Sequence, residues 1–352
     1  MTVIDSDAHV IETERTWDFM LPSDSAYRPE IVTGEDGVDY WMIEGKNRGR
    51  ARGPVAAKGI ATSVDRGMEV DEGKRLMEDI PGRIAHMDEL NIDVQVLYST
   101  MYISRMCDKP ETEVALSRGY NRWLADIWKE GQERLRWAVI PPLMSMEKAL
   151  EELHFGKEHG ACAVFMRGIE GDLLLSDPYL FPLYEEAQKL DLAIGVHAAA
   201  GSFERMDREH RSFGLTTFKF PTVGAFSDLV LSRTPERFPD LRWTFVEVTS
   251  QWLPYVMNDI SLRSRRLAGH AFPEGPELLR ENRLYVACQT IDDLGYVVDR
   301  VGDDNLIIGT DYGHRDTTAE IDALRKLRDD GKVGEATANK ILSANPKRLY
   351  GL

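Results

Sequence analysis

Cysteine is scarce: only Cys107, Cys162 and Cys288 occur in 352 residues, and they lie far apart. Any disulfide scheme leaves one over, so the chain reads as a reduced, cytoplasmic protein without a disulfide framework. No run approaches the roughly 18 apolar residues of a membrane span. The opening Met1-Thr2-Val3-Ile4-Asp5 lacks the basic stretch and apolar core of a signal peptide. Basic residues are outnumbered, 43 Lys and Arg against 59 Asp and Glu, for a net charge of −16. That balance argues against nucleic acid or an anionic membrane surface as a partner. Repeats and low-complexity tracts are missing, and no Gly-rich dinucleotide loop follows the first apolar run. What remains is an ordinary globular composition, 43% hydrophobic with 28 Gly and 16 Pro.

Short β-branched runs alternate with longer amphipathic ones. The strand candidates are Val3–Ile4, Val94–Tyr98, Trp137–Ile140, Ala163–Met166, Ala193–Val196, Trp243–Val246, Leu284–Ala287 and Leu306–Ile308. Each is apolar, too short for a helix and bounded by polar or Gly/Pro residues, the pattern of strands buried on both faces. Between them, 83–90, 113–128, 146–159, 178–190 and 252–267 carry apolar residues at helical intervals. At about 150 residues per domain the length would suit two domains, but α/β barrels run larger. Eight strand–helix alternations predict one closed (β/α)8 barrel spanning 1–352, with an open doubly wound sheet as the alternative. Residues 21–76 break the rhythm, being rich in Gly, Pro and charge around an aromatic patch at Tyr40-Trp41-Met42. They read as an inserted lid or dimer arm. A second long loop, 201–221, carries Arg205, Arg208, His210 and Arg211.

Polar residues gather where the strand candidates end. The first is followed by Asp5-Ser6-Asp7-Ala8-His9, the fifth ends at His197, the sixth at Glu247 and the eighth at Asp311. Alternation puts Asp7 and His9 on one face. Asp, His, His, Glu and Asp arriving at one rim from four strands form a metal-ligand set of the kinds that bind Zn, Mn and Fe. Asp5 also reads as a helix N-cap. Arg167, after the fourth strand, reads either as a clamp for a substrate carboxylate or as one half of an internal ion pair. His86, His154, His159 and His270 fall on or beyond predicted helices and read as surface residues.

The chain resembles the amidohydrolase superfamily, in particular its aminocarboxymuconate semialdehyde decarboxylase-like branch. The resemblance rests on Asp5-Ser6-Asp7-Ala8-His9-Val10-Ile11-Glu12, on Glu89-Leu90-Asn91-Ile92-Asp93-Val94-Gln95-Val96-Leu97-Tyr98, on Gly309-Thr310-Asp311-Tyr312-Gly313-His314 and on the ending Asn345-Pro346-Lys347-Arg348-Leu349-Tyr350-Gly351-Leu352. It implies an active site at the C-terminal mouth of a distorted barrel, with a metal on Asp7, His9, His197 and Asp311. It also implies that Asp311 handles the proton of the reaction. Glu247 departs from the pattern, standing where many relatives have a His, and is a second catalytic candidate.

Carboxylates outnumber imidazoles at these positions, and hard oxygen donors favour Mn or Fe over Zn. Glu12 and His314 stand close by in sequence, as further ligands or as hydrogen-bond partners of ligands. Seven candidates exceed the needs of one ion, so one or two divalent metals fit. The expected activity is hydrolysis or non-oxidative decarboxylation of a small carboxylic acid by a homo-oligomer, expected as a dimer. The alternatives are a dinuclear iron or manganese–iron oxygenase that hydroxylates aliphatic carbon, and an inert scaffold subunit.

Overall fold

The computed structural model describes residues 1–51, 70–203, 215–266, 272–314 and 319–352. Eight parallel strands form one sheet in sequence order: β1 (Ile4–Val10), β2 (Val94–Ser99), β3 (Leu135–Val139), β4 (Ala161–Arg167), β5 (Ala193–His197), β6 (Trp243–Val246), β7 (Leu284–Cys288) and β8 (Leu306–Ile308). The last strand returns to the first. Beyond Ile308 the chain crosses beside β1, with Asp311 N–H donating to the Asp7 carbonyl at 2.8 Å and His9 N–H to the Tyr312 carbonyl at 2.7 Å. A Cβ on Gly309 would lie 2.3 Å from the Cβ of Asp7, so only glycine lets the two edges meet. The molecule is a (β/α)8 barrel, and the doubly wound alternative falls away.

All eight predicted strands are present, most of them one to three residues longer than predicted, while β6 and β8 have the expected bounds. The main correction is β1. The polar run Asp5–His9 is inside the strand, not beyond it, and every residue of the strand is buried. An alternating apolar pattern could not reveal this, because the polar side chains of β1 find partners inside the barrel. Asp5 is accordingly no helix cap. Its carboxylate accepts from Thr310 N–H (2.9 Å), Thr310 Oγ1–H (2.6 Å) and Gln95 Nε2–H (2.9 Å), which joins β1, β2 and the end of β8.

The flanking helices follow the predicted periodicity, chiefly Ile80–Leu90, Pro110–Glu130, Met146–Glu158, Phe181–Lys189 and Leu253–Ser264. Asp79 caps the first of these by accepting from Gly82 N–H, and Asn91 ends it in the left-handed region at φ 57°. The closing helix Asn345–Tyr350 sends the Tyr350 hydroxyl to the Ser6 carbonyl and to Tyr98 Oη, both at 3.1 Å. All three cysteines are free and buried, and no helix among the described residues is long and apolar enough to cross a membrane.

Within 21–76 the structure has elements that aperiodic composition did not signal. A three-stranded antiparallel sheet spans Glu30–Thr33, Asp39–Ile43 and Lys46–Arg50. Trp41 in its middle strand packs edge-on against Trp17, ring centroids 6.0 Å apart. This sheet sits on the C-terminal side of the barrel. Glu44 accepts from the backbone of Asp108 and Lys109 in the loop after β2, Lys46 and Arg48 both reach Asp108 at 2.7 Å, and the Arg48 guanidinium lies 4.1 Å from the ring of Phe203 after β5. Residues 52–69 of the segment, and Arg205, Arg208, His210 and Arg211 of the second loop, lie outside the described residues.

One buried acid outside the donor set brings a pH expectation. Burial pushes the carboxyl of Glu113 up to about 7, against the lowering effect of the Met144 N–H that it accepts at 2.6 Å. A carboxyl with a raised folded value binds protons more tightly folded than unfolded, so its contribution weakens as pH rises from about 4.5 to about 7. Glu113→Gln should therefore cut the stability lost between pH 5 and 8 by about 1–3 kcal/mol, read from urea midpoints. An unchanged difference would refute the assignment.

Candidate metal centre

β1 and β5 deliver the heart of the site. Asp7 and His9 alternate along β1 toward the lumen, and His197 ends β5 beside them. His9 Nε2 and His197 Nε2 are 3.2 Å apart, and Asp7 Oδ1 is 3.6 Å from the first and 3.7 Å from the second. Both imidazoles are fully buried, and Asp7 Oδ1 is buried with no hydrogen-bond partner. Three donors with these separations fit a common cation, since tetrahedral ligands at about 2.1 Å stand about 3.4 Å apart. An unpaired buried carboxylate oxygen facing two ring nitrogens would otherwise cost several kcal/mol.

Ring orientation supports the same reading. His197 Nδ1 faces the Ala198 carbonyl at 3.2 Å, which places a proton on Nδ1 and leaves the Nε2 lone pair inward. Phe165 stacks on the other face of that ring, centroids 5.6 Å apart. Thr100, just past β2, gives its hydroxyl proton to the Val10 carbonyl at 2.8 Å. Its oxygen therefore accepts, from His314 Nε2–H at 2.9 Å and more weakly from His9 Nδ1–H at 3.4 Å. Sequence reasoning missed Thr100, although the strand-end rule that found the ligands applies equally to the residues just past Ser99.

Asp311 and Glu247 close the other side. His9 Nε2 is 3.4 Å from Asp311 Oδ1, and His197 Nε2 is 3.3 Å from Glu247 Oε2. The donor atoms of His9, Glu247, Asp311 and His314 lie within 4.8 Å of one another, as do those of Asp7, His9 and His197. Glu247 (φ 62°), Thr249 (φ 60°) and Asp311 (φ 54°) all have left-handed backbones. Non-glycine residues held there cost of order 1–3 kcal/mol each, and such strain concentrates at functional sites. Hydrogen bonds from Thr310 to Asp5 hold the approach to Asp311 in place.

Electrostatics follow from crowding. Burial first, and then the Asp311 carboxylate, push the carboxyl of Glu247 up to about 8. Burial and the neighbouring His314 and His197 hold His9 well below the ordinary imidazole range. For His197 burial acts downward too, but Asp7 and Glu247 outweigh it and the net shift is upward.

Two sequence-derived candidates are placed elsewhere. Glu12 does not join either donor group: its oxygens accept from Ser99 Oγ–H (2.5 Å) and Met101 N–H (2.9 Å), bracing the loop that carries Thr100. Burial pushes this carboxyl up to about 7. Arg167 is committed internally. Its guanidinium grips Glu170, with Nη2 at 2.5 Å from Oε2, and its Nη1 donates to the carbonyls of Tyr102 and Ser104. This is the ion-pair reading, and little of the side chain is left for a substrate. His86, expected at the surface, is half-buried with Nδ1 2.8 Å from the Tyr312 hydroxyl, while His154 and His159 lie on the outer helix Met146–Glu158 or at its end. His270 lies outside the described residues.

The amidohydrolase family model matches residues 4–352. The chain belongs to the amidohydrolase family. A 2-amino-3-carboxymuconate-6-semialdehyde decarboxylase of Dictyostelium discoideum is 22% identical over 285 residues, covering 77% of this chain and 76% of that protein. Among solved structures, an amidohydrolase from Mycobacterium avium subsp. paratuberculosis K-10 superposes with a TM-score of 0.77 at 20% identity, over 99% of both chains. The 5-carboxyvanillate decarboxylase of Novosphingobium aromaticivorans DSM 12444, solved with manganese and 4-hydroxy-3-methoxy-5-nitrobenzoic acid, superposes at 0.68 with 16% identity over 100% of this chain and 96% of that one. This amidohydrolase is therefore an enzyme of a metal-dependent superfamily, as its opening and closing motifs imply.

Proposed function

We propose that this amidohydrolase is a non-oxidative decarboxylase of a small unsaturated or aromatic carboxylic acid, with a divalent cation held by Asp7, His9, His197 and Asp311. The observation that carries the reading is the triangle of Asp7 Oδ1, His9 Nε2 and His197 Nε2, with sides of 3.2–3.7 Å and an orphaned oxygen at one corner. The decarboxylases among its relatives supply the reaction type, and manganese in one of them agrees with the oxygen-rich donor set. A bound cation supplies Lewis acidity toward an oxygen of the substrate. The chain's own groups do the rest. His9 and His197 are fixed by Thr100 and Ala198, and Asp311 or Glu247 in its acid form gives a proton to the substrate carbon. In that step the C–C bond to the carboxylate breaks, its electron pair stays on the carbon, the carbon takes the proton and CO2 leaves. The small sheet at 30–50 walls one side of the mouth and keeps bulk water from the developing carbanion. The oxygenase alternative finds no support among the relatives.

The test is CO2 release from a panel of carboxylated phenols and muconate-type acids, using protein loaded with Mn2+. Release should depend on the metal and fall by about 10³-fold or more in Asp311→Asn. Hydrolysis of amides or esters without any CO2 release would replace decarboxylation with hydrolysis at the same site.

A further inference from the structure

The end of the barrel opposite the mouth gathers cations without matching acids, in a chain whose net charge is −16. Strand alternation turns two of them inward. Trp137 faces the helices, its Nε1–H donating to the His159 carbonyl at 2.9 Å, so Arg136 beside it on β3 faces the lumen. Trp243 packs on Tyr184 of the helix Phe181–Lys189, ring centroids 4.8 Å apart. Arg242 precedes it, still in the sheet through the Ile194 N–H that its carbonyl accepts at 2.8 Å, and so also turns inward. β4 lies between the two. Burial pushes the thiol of Cys162 on that strand up to about 12, while Arg136, Lys157 and Arg242 pull it down. Three cations thus act on one buried sulfur.

Their hydrogen bonding is incomplete. Arg136 has no hydrogen bond or ion pair among the described residues, and its Nε is buried. Arg242 gives Nη1–H to the Arg348 carbonyl at 2.9 Å and Nη2–H to Asp191, yet its Nε is buried without a partner as well. Lys157 Nζ reaches only a carbonyl, that of Asp191 at 3.4 Å, and Arg348 donates to the Asp304 carbonyl and Asn345 Oδ1. Among the described residues, Asp191 is the one carboxylate ion-paired with these four cations. Buried N–H groups of a charged side chain are costly to leave without an acceptor, and here two arginines carry one each.

We propose that Arg136 and Arg242 form an anion seat at the N-terminal end of the barrel, for a phosphate ion or the phosphate group of a small ester. Guanidinium forks match the oxygens of a phosphate, and a dianion offsets the surplus positive charge. The seat also has a mechanical consequence. Arg242 already holds the closing helix Asn345–Tyr350 through the Arg348 carbonyl, and Tyr350 of that helix reaches the Ser6 carbonyl on β1. An anion shared by the two arginines ties β3, β6 and this helix together beneath the strand that carries Asp7 and His9. The seat stands at the far end of the barrel from the metal donors and does not depend on the decarboxylase reading.

The experiment is calorimetric titration of the full, metal-free chain with inorganic phosphate and with phenyl phosphate, ionic strength being held constant with NaCl. Wild type should show one saturable site, and phosphate should raise its urea midpoint. Arg136→Met should weaken binding by 10-fold or more and abolish that rise. Arg136 has no partner to lose, so in phosphate-free buffer this variant should have a midpoint no lower than wild type. Arg242→Lys, which keeps the charge and removes the fork, should weaken binding by a similar factor. Phenyl phosphate binding as tightly as phosphate would assign the seat to an ester, and binding of phosphate alone would assign it to the free ion. Absence of saturable binding in wild type, or unchanged binding in Arg136→Met, would overturn the seat. Turnover is not the readout, so failure of the decarboxylase reading would leave this result standing.

Discussion

His197→Ala should strip most of the metal and abolish turnover while leaving the barrel folded. The ring is one corner of the donor triangle, and its Nε2 is 3.2 Å from that of His9 and 3.3 Å from Glu247. Removing it leaves Asp7, His9 and Asp311, a set with a single imidazole and one corner of the triangle missing, which weakens the hold on the ion. The expected loss is about 10³-fold or more in kcat/KM, with most of the metal lost. The fold has little stake in this side chain. It ends β5, and its side-chain contacts besides the donors include the Ala198 carbonyl and the rings of Phe165 and Tyr98. Circular dichroism and the urea midpoint should stay close to wild type measured without metal. Retention of full metal occupancy in the variant would refute the site.

Arg83→Met should have the largest effect on stability, about 3–5 kcal/mol. Arg83 is fully buried beneath the site. Its Nε–H donates to Gln95 Oε1 at 2.8 Å and its Nη2 points to the His9 carbonyl at 3.4 Å. Its guanidinium lies 3.4 Å from the centre of the Tyr312 ring. Gln95 passes the interaction to Asp5, which holds Thr310. One cation thus organises β1 and the turn after β8, the two pieces that carry Asp7, His9 and Asp311, by way of Gln95 on β2. Burial lowers its pKa to about 10, which still leaves it charged at neutral pH. Methionine fills most of the space but offers no donors, leaving Gln95 Oε1 and the buried Asp5 carboxylate undercompensated. A change below about 1 kcal/mol in urea denaturation would show that the network is incidental.

The same network shows where reading the chain by pattern runs out. Asp7, His9, His197, Glu247 and Asp311 were findable because barrel strands are apolar and a polar residue at a strand end stands out. Glu12 satisfied the same criterion, yet it braces the Thr100 loop through Ser99 and Met101. Arg167 did so as well, but three residues later comes Glu170, close enough to claim its guanidinium. Which strand-end side chain turns inward and which pairs with its own loop depends on loop paths of a few residues. No periodicity encodes those paths. The strands of residues 30–50 escaped notice for a related reason. Their two outer strands are largely exposed and polar, and the one apolar run, Tyr40-Trp41-Met42-Ile43, stands alone in a stretch without a repeating pattern.

The pattern of the chain sets the barrel, because eight buried runs separated by amphipathic helices have few other ways to hide their apolar faces. It also determined the chemistry available, imidazoles and carboxylates at successive strand ends with no competing thiolate among them. How those donors are grouped depends on contacts between distant strands. Asp7, His9 and His197 form one group, while Glu247, Asp311 and His314 gather on the other side of His9. The division follows from barrel closure: Gly309 lets the end of β8 lie against β1, and Thr310 is held by Asp5. Asp311 and Glu247 then adopt left-handed backbones that turn their carboxylates into the mouth. Local propensity disfavours that conformation for both residues, so contacts between distant parts of the chain had to impose it.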